Sequence, residues 1–240
     1  LLGFKRVVFY SRPFMERMQA KLPSRARAFH LQGFPSNIGV DPGGDISALL
    51  RDFRRAGAGL RGAYFGHINR GRGIEDALQA LKILQDKGHR DLSYVLLGQF
   101  DPAQDAYHRE LALAVESMGL TGVVQFTNRL SDREVSLALQ ACDYAVLPFP
   151  EGASLKNGSL SACLCHGLAS LTTVTSGTDA ELLNSGALLP YAPGDVASLA
   201  SNWERLLGDA TMRQELAHKA RALAPLYSWK EYVRARAHIY

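Results

Sequence analysis

From Arg61 onward the chain alternates between two hydrophobic rhythms. Short apolar runs recur at Ala63-Tyr64-Phe65, Tyr94–Leu97, Val123-Val124-Gln125-Phe126, Tyr144–Leu147, Leu171–Val174 and Ala187–Leu189, and each predicts a strand. Between them apolar residues fall at helical spacing. Ile74, Ala77, Leu78, Leu81 and Leu84 follow the i, i+3, i+4, i+7 pattern of one buried helix face. A second helix is predicted over Gln104–Met118 and stopped by Gly119. Ser131-Asp132-Arg133-Glu134 has the spacing of a capping box and opens a third. Further helices are expected after Asn157-Gly158-Ser159, around Ala180–Leu183, and over Asp195–Leu207 and Thr211–Ala224; Ser228-Trp229-Lys230-Glu231, another capping box, opens a last one. Strands alternating with helices predict an α/β fold, a doubly wound, parallel, six-stranded Rossmann-like sheet. In the common strand order 3-2-1-4-5-6, ligands bind beyond the carboxyl ends of the first and fourth strands. The loops there are Gly66–Gly73 and Pro148–Ser159.

Residues 1–60 lack this regularity. Arg6–Tyr10 predicts a strand and Pro13–Lys21 a helix; Phe29-His30-Leu31 follows, then a turn-rich piece, Gly33–Asp45, with Pro35, Gly39, Pro42, Gly43 and Gly44. One strand and one helix cannot enclose a core. The expected organisation is therefore a remnant of a preceding domain (1–32), a linker (33–60), a Rossmann-like domain (61–226) and a closing helix (227–240). The start, LLGFKRVVFY, has neither Met nor the layout of a targeting peptide, and reads as a mid-protein start.

Composition narrows the class only mildly. Hydrophobic residues at 47% and charged residues at 21% are ordinary for a globular protein, and no apolar run is long enough to cross a membrane as a helix. Cys142, Cys163 and Cys165 suit small core positions in a reducing, cytoplasmic setting better than a disulfide framework or a zinc site. The charge is uneven: residues 1–70 carry a balance of +8, against −4 for residues 71–240. Arg12, Arg17, Lys21, Arg25, Arg27, Arg51, Arg54 and Arg55 belong to the basic part, which fits a solvated face or a peripheral contact with the inner face of a membrane. Nucleic acid is not expected, because no aromatic residues interleave with these charges.

The chemistry concentrates in Pro148–Gly167, PFPEGASLKNGSLSACLCHG. A strand stops at a proline, Glu151 follows in a Gly-containing loop, and a helix opens near Ser159. Unpaired N–H groups and the positive end of the helix dipole make such a start suitable for phosphate. Across the expected switch point, Arg72 is a permanent cation near a helix start, where the dipole disfavours it unless an anion binds. His67 offers a cation when protonated and an N–H donor otherwise. No Asp-x-Asp loop, zinc pattern or calcium pattern is present. His166 reads as a packed or capping residue, and His30, His89, His108, His218 and His238 lack partners at ligand spacing.

Over about residues 25–240 these motifs resemble the C-terminal, donor-binding half of a GT-B glycosyltransferase of the retaining family 4 type, which takes nucleotide-sugar donors. In that family the first loop carries Gly-Arg and, further on, Lys-Gly, and both cations bind the donor diphosphate. Gly66-His67 and Arg72-Gly73 stand there in this chain. The family also has two glutamates eight positions apart; Glu151 matches the first, which touches the donor sugar, while Ser159 replaces the second, which binds ribose. Lys156, Asn157, Gly158, Ser159 and Leu160, with His166-Gly167-Leu168 after them, are similar to a basic-Gly-Ser-Leu variant of the loop; Lys156 would add a cation near the diphosphate. Gly98-Gln99-Phe100 and Asn128-Arg129-Leu130 match loops around the nucleotide base, and Asp179-Ala180-Glu181 resembles an acidic helix start. GFPSNI at Gly33–Ile38 resembles the interdomain linker, and the terminal helix, Ser228–Tyr240, one that packs back on the first domain.

The resemblance implies sugar transfer with retention and without metal or cofactor, Glu151, Arg72 and His67 carrying the chemistry. The acceptor (a sugar, a lipid-linked molecule or a small molecule) would be held by the missing N-terminal domain, leaving this chain able to bind donor but turn over little. Two other readings share the fold: a nucleotide-sugar 2-epimerase, and a non-catalytic binding or partner subunit, favoured by the loss of the second glutamate and of the family's arginine.

Overall fold

The computed structural model describes residues 6–43 and 59–237. Six parallel strands form the main sheet: β3 (Leu60–Phe65), β4 (Leu92–Leu97), β5 (Val124–Phe126), β6 (Tyr144–Leu147), β7 (Ala169–Thr173) and β8 (Leu188–Tyr191). Their order is β5-β4-β3-β6-β7-β8, the doubly wound arrangement, with the reversal between β3 and β6. The crossovers are α2 (Ile74–Asp86), α3 (Ala106–Ser117), α4 (Asp132–Gln140), α5 (Gly158–Cys165) and the short α6 (Ala180–Asn184). After β8 come α7 (Val196–Gly208), α8 (Ala210–Leu223) and α9 (Trp229–Ala237).

The helix-period residues do what their spacing requires. Ile74, Ala77, Leu78, Leu81 and Leu84 are buried on α2, and Glu75 and Asp76 occupy its first turn, where the dipole favours them. Ser131 and Glu134 close a reciprocal capping box at α4. Three buried aromatic residues fix the middle of the sheet: the Trp203 indole donates to Tyr144 Oη at 2.8 Å, and Tyr94 Oη donates to the Val146 carbonyl at 3.0 Å. Cys142 and Cys163 are buried and Cys165 is half-buried, all as free thiols.

Several elements depart from the sequence reading. Residues before the linker do enclose a core: β1 (Val7–Phe9) and β2 (Phe29–Leu31) pair in parallel, α1 (Arg12–Lys21) connects them, and Phe9, Met15 and Phe29 pack together. The missed element is β2, whose three residues are too few to show a period. The last strand runs two residues past Leu189, because an exposed Pro190 is tolerated on the edge strand β8. The strand before it begins at Ala169, where Ala-Ser gave no apolar signal. Arg51, Arg54, Arg55, His238 and the second half of the expected linker lie outside the described residues.

Linker residues 33–43 run along the domain rather than away from it. Phe34 N–H donates to the Leu155 carbonyl at 3.0 Å and Ser36 N–H to the Tyr227 carbonyl at 2.8 Å. At the other end Asp41 N–H donates to Ser136 Oγ at 2.9 Å. Helix α9 reaches the N-terminal unit, with Tyr10 and Tyr232 hydroxyls 2.6 Å apart and Gln32 Nε2 donating to the Tyr232 carbonyl at 3.1 Å.

Candidate functional site

Strands β3 and β6 pair through Gly62 with Tyr144 and Ala63 with Ala145, so the loops that follow them emerge side by side. Two glycines let these loops touch. Gly73 has φ +71°, and a Cβ there would lie 2.0 Å from the Pro148 carbonyl oxygen; at Gly66, with φ +146°, it would lie 2.8 Å from Ser159 Oγ. A side chain at Gly73 would meet backbone and push the first loop off the second, whereas one at Gly66 would displace the Ser159 hydroxyl and strain its own backbone.

Helix α5 opens one residue earlier than the sequence suggested, at Gly158, with Asn157 as its N-cap. The Asn157 side chain does not cap the helix. Its Oδ1 accepts from Ser154 N–H at 2.6 Å and from Ser154 Oγ–H at 3.0 Å, closing the 154–157 turn instead. The first turns of α5 and of α2, whose N-cap is Gly73, therefore both lack a side-chain cap. Both helices follow the strands that flank the switch point, β3 and β6.

Two clefts adjoin here. The larger, about 780 Å³, is lined by Gly66, His67, Arg72, Gly98, Gln99, Arg129, Leu130, Asp132, Lys156, Asn157, Gly158 and Ser159. The smaller, about 590 Å³, has Glu151, Gly152, Ser154, Asn69 and Arg70 in its walls, together with Ser11 from the N-terminal unit and Gly177. Arg72, Phe149, Lys156 and Asn157 line both clefts and form the divide between them. Leu160 stands apart from both clefts: it is 1% exposed and its side chain belongs to the core. Phe100, Asn128, Asp179, Ala180, Glu181, His166, Gly167 and Leu168 do not line either cleft. Glu151 faces the smaller cleft alone.

The electrostatics favour an anion at the divide. Arg72 Nε donates to Asn69 Oδ1 at 3.1 Å. Among the described residues neither Arg72, Lys156 nor His67 pairs with a carboxylate. Beneath the first loop, the Tyr64 hydroxyl donates to the His67 carbonyl at 2.8 Å. Burial pushes this phenol up to about 12, Arg72 opposing and Glu75 adding to the shift, so it remains a donor.

Sequence reasoning missed several supporting residues. His108, 7% exposed, accepts Asp101 N–H on Nδ1 at 2.9 Å and approaches the Ile68 carbonyl with Nε2 at 2.7 Å. Those partners assign a neutral ring protonated on Nε2, which ties the loop after β3 to the loop after β4. No spacing in the sequence marks it. The linker adds Phe34, Pro35, Asn37 and Ile38 to the larger cleft. His166, by contrast, is the packed, capping residue that the sequence suggested: at the C-cap of α5 its Nδ1 donates to the Ala162 carbonyl at 2.8 Å and its Nε2 accepts from Ser136 Oγ at 2.8 Å. Burial lowers its pKa, against the Ala162 hydrogen bond.

A doubly wound sheet with an abutting N-terminal unit is the architecture of the C-terminal half of a GT-B fold. The chain belongs to the group 1 glycosyl transferases, whose family model matches residues 61–209. Its fold is similar to that of sucrose-phosphate synthase from Thermosynechococcus elongatus (TM-score 0.76, 20% identity, covering 98% of this chain and 57% of that one). A glycosyltransferase from Rickettsia africae is also similar (TM-score 0.80, 13% identity, 98% and 62%). So is Anabaena Alr3699/HepE in a complex with UDP and glucose (TM-score 0.75, 17% identity, 98% and 63%). The chain thus spans about three fifths of the length of these structures. No curated protein matches it in sequence.

Proposed function

We propose that this chain is the donor-binding half of a glycosyltransferase that moves a sugar from a nucleotide-sugar donor to an acceptor, with retention and without a metal ion. The observation that carries the reading is the pair of clefts meeting at Arg72 and Lys156. A nucleotide-sugar is a diphosphate with a bulky group at each end, and the divide offers two cations between two cavities. The UDP and glucose held by Anabaena Alr3699/HepE support this choice of ligand.

In the reaction, an acceptor hydroxyl oxygen would bond to the anomeric carbon as the bond from that carbon to the diphosphate oxygen breaks; the hydroxyl proton would pass to the leaving diphosphate, on which negative charge collects. Arg72 would fork onto its oxygens, Lys156 would add a point charge, and the N–H groups at the start of α5 would receive it without reorganising. His67 would donate one N–H from the rim. Glu151, in the smaller cleft, would hold sugar hydroxyls rather than attack carbon. Ser159 leaves a hydroxyl where the resembling enzymes place a carboxylate, so ribose would be held by a neutral hydrogen bond. The acceptor would enter on the side of Ser11, from a preceding domain.

Calorimetric titration of the chain with UDP, GDP and ADP tests this. Binding of at least one, abolished in Arg72→Ala, is expected. Binding of none favours a partner subunit that takes no donor, the reading to which Ser159 lends weight. Donor alone, incubated and analysed for an epimeric sugar, separates a 2-epimerase.

A further inference from the structure

Arg129 and Asp132 line one stretch of the larger cleft, and among the described residues neither side chain has a hydrogen-bond or ion-pair partner. The capping box at the start of α4 is completed by Ser131 and Glu134, so the Asp132 carboxylate serves the helix only as a charge in its first turn and keeps its hydrogen-bonding capacity. It is also the sole carboxylate among the described residues that line this cleft.

Strand order says which part of a donor reaches these residues. Both follow β5, the edge strand two places from β3. With strands about 4.8 Å apart, their loop starts roughly 10 Å from the one that carries Arg72. Glu151 and Gly177 lie the other way, past β6 and β7, around the smaller cleft. A diphosphate at Arg72 and Lys156 with its sugar toward Glu151 therefore has its base at Arg129 and Asp132, in the part of the cleft that Leu130 and Val135 also line.

We propose that Arg129 and Asp132 make this a guanine-selective site, so that the donor is a GDP-sugar; the proposal rests on the donor-binding reading above. A carboxylate accepts best from two adjacent N–H donors, and a guanidinium forks onto two adjacent acceptors. Guanine presents both sets: N1–H beside the N2 amino group, and O6 beside N7. Adenine keeps the N7 acceptor but sets its N6 amino group against the guanidinium in place of O6, and its bare N1 against the carboxylate. Uracil offers a single N–H between two carbonyls, both of which repel a carboxylate. Asp132 supplies the discrimination and Arg129 reinforces it.

The test is calorimetric titration of the full chain with GDP, UDP and ADP, on the wild type, Asp132→Asn and Arg129→Gln, with each variant's thermal midpoint recorded. GDP is expected to bind about tenfold tighter than UDP or ADP. Asp132→Asn should lower GDP affinity about tenfold while leaving UDP within about threefold. Arg129→Gln should narrow the gap between GDP and ADP. Equal or tighter binding of UDP or ADP by the wild type overturns the proposal, and so does an Asp132→Asn loss that is the same for all three nucleotides. Either result leaves the diphosphate reading standing. Failure of all three nucleotides to bind overturns both.

Discussion

Asp179 holds Leu155 in place: one carboxylate oxygen, Oδ2, accepts the Leu155 N–H at 2.8 Å. The other, Oδ1, accepts the N–H of Arg12, the first residue of α1, at 3.2 Å. Asp179 is 1% exposed and sits at the N-cap position of α6, yet it makes no capping bond. Its carboxylate instead joins the donor loop to the N-terminal unit, where Arg12 also pairs with Glu181. Removing it strands a buried N–H, which costs about 1–3 kcal/mol. Asp179→Ala should therefore lower stability by that amount in denaturant unfolding and weaken nucleotide binding, since Lys156 follows Leu155 directly. Asp179→Asn keeps one acceptor oxygen and should cost less.

Gly73→Ala tests how closely the two loops approach. The added Cβ would have to lie 2.0 Å from the Pro148 carbonyl, in a backbone with φ +71°. Strain of about 1–3 kcal/mol follows, together with movement of Arg72, its chain neighbour. The variant should melt earlier and lose nucleotide affinity. Gly88→Ala, also at positive φ but with nothing within 4 Å of its Cβ, should lose stability alone.

Stability at acid pH should depend on His166. Burial holds its folded pKa below the ordinary imidazole value. Above that ordinary value, about 6.5, both folded and unfolded forms are neutral and the contribution is complete. As pH falls below it, the unfolded chain takes up the proton first, and stability declines until the folded pKa is passed. Protonation of Nε2 also ends its acceptance from Ser136 Oγ–H, the bond that joins α5 to α4 beneath Asp41. Melting temperature should fall between pH 7 and 5 in the wild type, with a shallower slope in His166→Asn.

Much of this was legible in the chain. Six strands, their helices and the capping box at Ser131 could be read because each repeats a period or a spacing. The doubly wound class followed from the alternation, and with the common strand order assumed, the loops at Gly66 and Pro148 fell at the switch point, where the structure has them. What stayed hidden acts through tertiary contact. Asp179 looks in sequence like an ordinary cap, but spends its carboxylate on residues 24 and 167 positions away. His108 bridges two loops through backbone groups, a role that fixes no spacing. Asp132 could be seen only as part of a helix start, and Phe34 and Asn37 only as linker, until the fold set them along the cleft.

The central claim is that Arg72 and Lys156 receive a diphosphate, and the ratio of diphosphate to monophosphate affinity measures it most directly. Titrations of GDP against GMP and of UDP against UMP, on the wild type and Arg72→Ala, isolate the second phosphate. The account predicts that the diphosphates bind wild type about tenfold tighter or better, and that this advantage collapses toward unity in Arg72→Ala while monophosphate binding persists. An Arg72→Ala variant that keeps the full diphosphate advantage would contradict it.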